Sequence, residues 1–285
     1  MAVGTVDVDA FWKNGYTIVR NVYTPAEIEA FRQAATASKA DGPRDLLSNP
    51  RLRSVLTDGN FIEIARRILS ATEIWYTGDS SFTINSGQRG FHKDNTDRRD
   101  GKAPDWQNDP YTVLRFGVYL QDHLKHSGGL NLRSKSHNVV PLTKGKNTYV
   151  RTGVGDVAVW SLRTTHSGNG VLLRWPRNET VEPTEIEKTS KWRIRRSATS
   201  DRMALFAALG LDDAHHHRYV DYLKTRTYMI NAFRGSEYDE ETLAEADKAG
   251  LNVRNLPREI EGDDTVGQKV NWEPFPYAGM ETKSK

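Results

Sequence analysis

The feature that most constrains the fold is a series of short β-rich runs between Trp75 and Leu209. The runs read TEIWYTGDSSFTINS, YTVLRFGVYLQD, GDVAVWSL and RMALFAALG, and clusters of Gly, Asn and Asp lie between them. Short strands separated by turn residues in this way are typical of an antiparallel sandwich or barrel. The sequence therefore predicts a mainly β fold whose core is built from these runs.

Helix signals flank the β-rich region on both sides. Residues 9–22 read as a short helix, a glycine turn and a strand. The next helix begins after Thr24, which can cap it, and Glu27 completes a capping box. Residues 59–70 form a second amphipathic helix, and the chain turns helical again after Gly210. The prediction is a β core with helices on its flanks.

The chain is expected to form one domain over residues 1–285. This length is normal for a single all-β barrel with added helices. We expect a core of about residues 10–225, a C-terminal helical extension over 211–256 and an irregular tail over 257–285. The C-terminal helices are expected to cover a sheet edge or to pair two subunits in a homodimer.

Composition excludes several classes of protein. The 40 Lys and Arg residues against 37 Asp and Glu give a net charge of +3, which is too mild to indicate a nucleic-acid or membrane-surface partner. The chain has no cysteine, so disulfides and thiolate metal sites are impossible. The N-terminus lacks a basic segment followed by an apolar one, and no apolar run approaches the roughly 18 residues of a membrane span. A cytoplasmic protein is expected.

The tetrapeptide FHKD at residues 91–94 is the sharpest candidate for a metal site. Side chains two apart on a strand point to the same side, so His92 and Asp94 can hold one metal ion from a single short segment. An isolated H-x-D triplet often arises by chance, and a surface turn is then the simpler interpretation. The rest of the sequence decides between the two.

A second histidine supplies a third ligand. The run GDVAVW at residues 155–160 reads as a turn that enters a buried strand, and this strand leads to TTHSG with His166. Two histidines and one carboxylate on one face of an octahedron leave three positions open, which suits an iron(II) ion that binds an organic co-substrate and O2. Zinc is the rival metal, because it commonly takes three protein ligands and a water and supports hydrolysis.

The order of these segments resembles the phytanoyl-CoA dioxygenase family of iron(II)/2-oxoglutarate oxygenases over most of residues 10–225. FWKNGYTIVRNVYTPAEIEAFR is similar to the family's opening strand and proline-started helix, and FHKDN is similar to its H-x-D segment. GVYLQDHLKHSGGLNLRSKSH, GDVAVWSLRTTHSG and RMALFAALG resemble the later strands, of which the second carries the other histidine and the third begins at an arginine. The resemblance implies a double-stranded β-helix, also called a jelly roll or cupin-like fold. It also implies that His92, Asp94 and His166 are the iron ligands.

The chain departs from the family pattern in two respects. Ser127 stands where the family has an asparagine before glycine, and Ser134-Lys135 stand where it has Pro-Gly. These changes alter a loop and leave the ligands intact. The gap between His166 and Arg202 is also much longer than the family's usual spacing between the second histidine and the arginine that binds the co-substrate. More than one arginine is therefore a candidate for that role.

The resemblance implies that an arginine holds the distal carboxylate of 2-oxoglutarate. A guanidinium binds a carboxylate through two hydrogen bonds and stays charged when it is desolvated. Arg202 opens an apolar run and is the first candidate, and Arg174, eight residues after His166, is the second. Thr165 or Ser200 is expected to add a hydroxyl to the same carboxylate.

Other polar residues are candidates for contact with co-substrate or substrate. Gln88 precedes the H-x-D segment, and Arg115 lies on a predicted strand, where an ion pair within the sheet is the alternative. Residues 95–110 form a polar loop where a substrate lid is expected. Its candidate substrate contacts are Trp106, Arg98 and Arg99.

The resemblance implies a dioxygenase that hydroxylates an unactivated C–H bond of a small molecule, with O2 as oxidant and succinate and CO2 as products. Asp94 favours hydroxylation, desaturation or cyclisation, because related halogenases replace this carboxylate with a small residue. The polar segments 95–110 and 174–201 are the least family-like parts. They favour a specialised secondary metabolite over a fatty acyl-CoA as substrate.

Two alternatives use the same residues differently. A cupin-like, metal-dependent isomerase or hydrolase would work with zinc or manganese and would not need Arg202. A non-catalytic jelly-roll module would bind a sugar or an anion through the basic insertion and form no succinate. The three consecutive histidines at 215–217 are interpreted as a solvated helical face, because consecutive helical residues point in different directions.

Overall fold

The computed structural model describes residues 3–87, 90–177, 179–263 and Val266, and its strands form two sheets. Among the described residues the strands are β1 (Tyr16–Val19), β2 (Ile74–Ile84), β3 (Leu114–Tyr119), β4 (Gly129–Ser134), β5 (Lys146–Val150), β6 (Val157–Ser161), β7 (His166–Gly170), β8 (Met203–Gly210) and β9 (Leu251–Val253). The larger sheet has the order β1-β6-β3-β8-β2-β9, and the smaller has the order β5-β4-β7. Neighbouring strands are antiparallel except β2 and β9, which are parallel.

The two sheets enclose the interior of the fold. Side chains from both sheets meet there in one hydrophobic cluster, which includes Tyr119, Leu130, Leu132, Val150, Trp160 and Ala204. Because side chains alternate along a strand, Arg115 of β3 lies on the same inner side as Tyr119. Phe116 of β3 and Val159 of β6 face the other way and pack with the N-terminal helices. The predicted mainly β jelly roll with flanking helices is confirmed.

The helices pack outside the sheets. Among the described residues they are α1 (Val8–Asn14), α2 (Pro25–Asp41), α3 (Ser54–Thr57), α4 (Asn60–Leu69), α5 (Pro104–Gln107), α6 (Ala214–Leu223), α7 (Thr227–Arg234), α8 (Glu240–Ala249) and α9 (Leu256–Glu261). The predicted capping box of α2 is present, because Thr24 and Glu27 each accept a hydrogen bond from the other's backbone N–H. Within the described residues, no helix is both long and apolar enough to cross a bilayer.

Several element boundaries differ from the predicted ones. The strand expected over Tyr16–Val22 ends at Val19, because Asn21 adopts a left-handed backbone with φ 54° and its N–H donates to Asp156. α7 and β9 carry no local signal strong enough to predict them. The tail expected to be irregular over 257–285 is helical at its start, since α9 spans Leu256–Glu261; residues 264, 265 and 267–285 lie outside the described residues.

The two polar stretches are folded segments in this structure. The stretch at 95–110 contains α5, and its Asp97 forms an ion pair with an arginine of α6 at 2.6 Å. The stretch at 174–201 contains two short 3-10 turns. Its Glu182 forms an ion pair with Arg133 of β4 at 2.7 Å, so this insertion packs against the small sheet.

Candidate metal centre

Backbone pairing brings the two ligand segments together. His92 and His166 form an isolated antiparallel β-bridge, in which each N–H donates to the other's carbonyl, at 3.0 Å and 2.9 Å. The N–H of Asp94 donates to the carbonyl of Leu162 at 3.0 Å, which ties the end of this segment to the turn before β7. Because β7 begins at His166, the H-x-D segment adds to the free side of β7 in the small sheet. The strand-like geometry assumed for this motif is therefore present.

The side chains of His92, Asp94 and His166 converge on one point. One ligand atom from each lies within 4.8 Å of the other two. The Asp94 carboxylate is 3.7 Å from Nε2 of His92 and 3.4 Å from Nε2 of His166. Nδ1 of His92 is 2.9 Å from the Gly90 carbonyl, and Nδ1 of His166 is 3.0 Å from the Thr164 carbonyl. A carbonyl only accepts, so each Nδ1 carries a proton, and each Nε2 faces Asp94 as the ring atom that can bind a metal ion.

The spacing of the two imidazole rings tests which coordination geometry fits. Their centroids are 4.3 Å apart, and their planes differ by 51°. With a metal–nitrogen bond of about 2.1 Å, two imidazoles at right angles place their centroids about 4.5 Å apart, and a tetrahedral angle requires about 5.2 Å. The observed spacing therefore fits two adjacent positions of an octahedron better than a tetrahedral zinc site.

Arg115 supports the carboxylate ligand from inside the large sheet. It is buried, and its Nη2 lies 2.6 Å from Asp79, 3.3 Å from Asp94 and 3.1 Å from the hydroxyl of Tyr219. The Tyr219 hydroxyl also donates to Asp79. Burial alone would raise the pKa of Asp94, but the charges of His166, Arg115 and His92 outweigh it and hold this pKa well below its usual value. Asp94 is therefore ionised and fixed in place.

Two cations hold the backbone around the ligand segment. The ammonium of Lys93 is buried and donates to the carbonyls of Ser136, at 2.7 Å, and Arg163. Burial and the nearby charge of Arg163 lower the pKa of Lys93 to about 7. The guanidinium of Arg98 donates to the three carbonyls of residues 93–95. Arg98, predicted as a substrate contact, is therefore placed against the ligand segment itself.

A row of aromatic rings leads from the triad to Arg202 through the space between the sheets. The His166 ring is 5.5 Å from that of Trp160, which is 6.4 Å from that of Phe206. Phe206 is 5.9 Å from Tyr119, and the guanidinium carbon of Arg202 is 5.7 Å from the centre of the Tyr119 ring. The predicted arginine at the mouth of β8 thus belongs to the same interior as the metal ligands.

Polar atoms without internal partners lie along this row. The hydroxyl of Tyr119 and the indole N–H of Trp160 are buried and find no hydrogen-bond partner among the described residues. Arg202 is itself buried and donates to Ser86 at 2.9 Å and to the carbonyl of Gly128. Buried donors are almost always paired in folded proteins, so unpaired ones beside a buried cation indicate a polar, anionic ligand.

The remaining predicted co-substrate residues occupy other positions. Arg174 and Ser200 are exposed on the 174–201 segment, so neither contributes a buried donor. Thr165 is buried beside β4, and its backbone N–H donates to Ser136. Gln88 lies outside the described residues.

The predicted lid residues are anchored in different ways. Trp106 is half-buried, and its indole N–H donates to the carbonyl of Asp97 at 2.7 Å. The Trp106 ring lies between two cations, with Nζ of Lys93 at 5.4 Å and the guanidinium carbon of Arg163 at 5.1 Å. Arg99 is exposed. Through its contact with Lys93, Trp106 therefore packs its loop against the segment that carries His92 and Asp94.

Tyr228 of α7 is an exposed aromatic residue that was not predicted as part of the site. Its ring is 60% exposed and lies 5.7 Å from the guanidinium of Arg226. The surrounding protein, and then the carboxylate of Asp79, the neighbouring Tyr222 and the carboxylate of Asp94, nevertheless raise the pKa of Tyr228. Tyr228 is therefore open to solvent and within electrostatic reach of Asp79 and Asp94.

Comparisons with known proteins identify the fold. No family model matches the chain, and no curated protein matches it. Among solved structures, the fold is similar to the non-haem alpha-ketoglutarate-dependent epimerase SnoN from nogalamycin biosynthesis, with a TM-score of 0.50 and 14% identity over 71% of this chain and 80% of that chain. It is also similar to AviO1 from Streptomyces viridochromogenes, with a TM-score of 0.51 and 15% identity over 73% and 94% of the two chains. HygX from Streptomyces hygroscopicus, solved with nickel and 2-oxoglutarate bound, gives a TM-score of 0.53 and 16% identity over 74% and 88%. At such low identity the likeness shows a common fold.

Proposed function

We propose that this chain is a non-haem iron(II) enzyme that uses 2-oxoglutarate and O2. The observation that carries the proposal is the convergence of His92, Asp94 and His166 within 4.8 Å, with ring centroids 4.3 Å apart. Two imidazoles and a carboxylate on one face of an ion leave positions for a chelating co-substrate and O2. When bound, iron(II) with 2-oxoglutarate supplies the activation of O2, with succinate and CO2 as products.

Arg202 is the proposed partner of the distal carboxylate of 2-oxoglutarate. It is a buried guanidinium on the inner side of the barrel, and the unpaired hydroxyl of Tyr119 lies beside it. A buried guanidinium and a hydroxyl donor together satisfy a desolvated carboxylate. Arg174 is less suitable, because it is exposed.

The chain's own residues hold and shield the centre. Arg115 fixes the Asp94 carboxylate, and the carbonyls of Gly90 and Thr164 fix the two imidazole tautomers. The aromatic row between Trp160 and Tyr119 excludes water from the co-substrate side. We propose Tyr228 as a substrate contact, because its ring is exposed and lies within electrostatic reach of Asp94.

The type of oxidation is proposed as hydroxylation of an unactivated C–H bond in a small molecule of secondary metabolism. The carboxylate ligand Asp94 supports an oxidation of this kind. The sequence resemblance to the phytanoyl-CoA dioxygenase family supports the same reaction. Solved neighbours of the same fold include an epimerase from nogalamycin biosynthesis, so epimerisation or another oxidative rearrangement is the competing outcome.

The test is an anaerobic titration of the metal-free protein with iron(II) and 2-oxoglutarate. We expect a weak visible charge-transfer band from the chelated 2-oxo acid in the wild type, and no band in His166→Ala. Arg202→Ala should weaken 2-oxoglutarate binding about 30-fold or more, because it removes a buried charged partner. The exposed Arg174→Ala is the matched control and should leave the affinity unchanged.

Two results would contradict the proposal. Tight zinc binding with no band under any condition would favour a metal-dependent isomerase or hydrolase. A band whose midpoint depends on Arg174 and not on Arg202 would keep the iron site but move the co-substrate pocket to the 174–201 segment.

A further inference from the structure

A second group of metal-binding side chains lies at the start of α6. Asp212, His216 and His217 each offer a ligand atom, and these atoms lie within 4.8 Å of one another. Nε2 of His217 is 2.5 Å from the Asp212 carboxylate. The two imidazole rings have centroids 5.9 Å apart and planes that differ by 49°. A tetrahedral ion requires about 5.2 Å between such rings, so a bound ion would have to draw the two rings together by about 0.7 Å.

The structure corrects the expectation for the histidine tract. The three histidines at 215–217 do not form a solvated face, because His215 and His216 are buried and only His217 is exposed. His215 turns away from the other two toward Thr112, whose hydroxyl lies 3.2 Å from its Nδ1. Asp212 lies before α6, and its carboxylate contacts Nε2 of His217. Convergence therefore comes from two histidines and this preceding carboxylate.

His216 provides an independent indication of a ligand. It is 0% exposed, and neither of its ring nitrogens has a hydrogen-bond partner among the described residues. The Tyr76 carbonyl lies close enough to act on the ring, but no hydrogen bond of normal geometry forms. An unpaired, buried imidazole next to an accessible carboxylate and a second imidazole is a ready metal ligand.

We propose that Asp212, His216 and His217 form a second metal site, distinct from the triad of His92, Asp94 and His166. Two imidazoles and one carboxylate suit a late first-row divalent cation such as Ni2+, Cu2+ or Zn2+, with water in the remaining position. The site would tie the first turn of α6 to the preceding turn. The same helix carries Tyr219, whose hydroxyl contacts Asp79 and Arg115 behind the triad.

The test counts bound metal in tag-free protein after equilibrium dialysis against NiCl2. We expect two nickel ions per chain in the wild type, one in His217→Ala, one in His166→Ala and none in the double variant. His217 and Asp212 have side chains about half exposed, so these replacements are expected to fold. His126→Ala is the matched control, because His126 forms a similar pair with Asp122 at 2.6 Å but belongs to no triad among the described residues, and it should retain two ions.

A thermal readout separates the two sites. In the His166→Ala background, nickel should raise the unfolding temperature, and adding Asp212→Asn should abolish that rise. One nickel per chain in the wild type that His166→Ala abolishes, or two in His217→Ala, would overturn the proposal and leave Asp212 and His217 as a simple ion pair. If the proposed oxygenase function is wrong, the ion missing from the count is the one assigned to His166. Failure of that function can therefore be distinguished from failure of the second metal site.

Discussion

Replacing Gly155 by alanine should destabilise the fold far more than the same change at Gly59. Both glycines have left-handed backbones, with φ of 90° and 83°. A Cβ at Gly155 would lie 2.0 Å from the carbonyl oxygen of Tyr23, whereas a Cβ at Gly59 would meet nothing within 4 Å. The backbone strain is thus common to both variants, and the collision is specific to Gly155. Comparing the two variants therefore separates the cost of backbone strain from the cost of the steric collision.

The magnitudes follow from this comparison. Placing alanine in a left-handed conformation costs about 1–2 kcal/mol, and the stiffer unfolded chain offsets about 0.4–1 kcal/mol of it. Gly59→Ala should therefore cost about 1 kcal/mol. At Gly155 the overpacking adds about 1–3 kcal/mol, and loss of the hydrogen bond from Tyr23 N–H to the Gly155 carbonyl, now 3.0 Å, adds about 0.5–1.5 kcal/mol. Gly155→Ala should therefore cost roughly 4 kcal/mol.

The assay is urea unfolding of metal-free protein followed by fluorescence and circular dichroism. Equal slopes with different midpoints would show that stability changed while the surface exposed on unfolding did not. Equal destabilisation by the two substitutions would refute the reasoning, because it would mean that the Tyr23 carbonyl moves aside without cost. The result bears on the candidate site, since Gly155 sets the entry of β6, the strand that leads to His166.

Three further predictions concern buried polar groups. Tyr119→Phe removes a hydroxyl with no internal partner, so it should leave the unfolding temperature unchanged or higher while weakening 2-oxoglutarate binding about tenfold in the iron(II) titration; unchanged affinity would remove Tyr119 from the pocket. His123 is buried, and burial with the charge of Arg202 lowers its pKa to about 4. Its neutral form stabilises the fold fully above about pH 6.5, and this contribution, up to about 3 kcal/mol, is lost as the pH falls toward 4. His123→Gln should flatten this part of the unfolding free energy against pH, and parallel curves would contradict the assignment. Asp45→Ala should cost about 3–5 kcal/mol in urea unfolding, because three buried hydroxyls, each 2.6 Å from the carboxylate, lose their acceptor; a cost below 1 kcal/mol would show that they find other partners.

Local sequence patterns predicted the parts of the site that lie on short, regular segments. His92 and Asp94 are two residues apart on a strand-like segment, and alternation alone places them on one side. His166 follows a run whose β character is strong, and Arg202 opens another. Each of these positions was predicted from side-chain alternation within one strand or from the start or end of one strand.

Of the network behind the triad, the sequence predicted the ion pair of Arg115 within the sheet as one of two interpretations, and it did not predict the partners of Arg115. Asp79 lies in the middle of β2, Arg115 lies on β3, and Tyr219 lies on α6, and these segments meet only through the order of strands in the large sheet. An aspartate within a buried β-rich run was a usable signal of a buried ion pair. Nothing local to Tyr219 distinguishes it from an ordinary core tyrosine.

The histidine tract failed as a prediction for a related reason. The argument from helical periodicity considered only residues 215–217 and correctly separated His215 from its neighbours. It did not include Asp212, which lies before the helix begins and is therefore not bound by helical spacing. A metal site that combines residues of a helix with a residue of the preceding turn cannot be predicted from helical periodicity alone.

Because of the backbone bridge between His92 and His166, hydrogen exchange at two amides reports whether the candidate site is folded. Each of these amides donates to the partner histidine's carbonyl, so both exchange with solvent only when the bridge opens. The slow exchange of this pair, measured without any ligand, would report how completely folding prepares the ligand geometry. The exchange rates of these two amides can be compared with those of the central β3 amides. The ratio would give the difference in free energy between opening this edge of the barrel and opening its core.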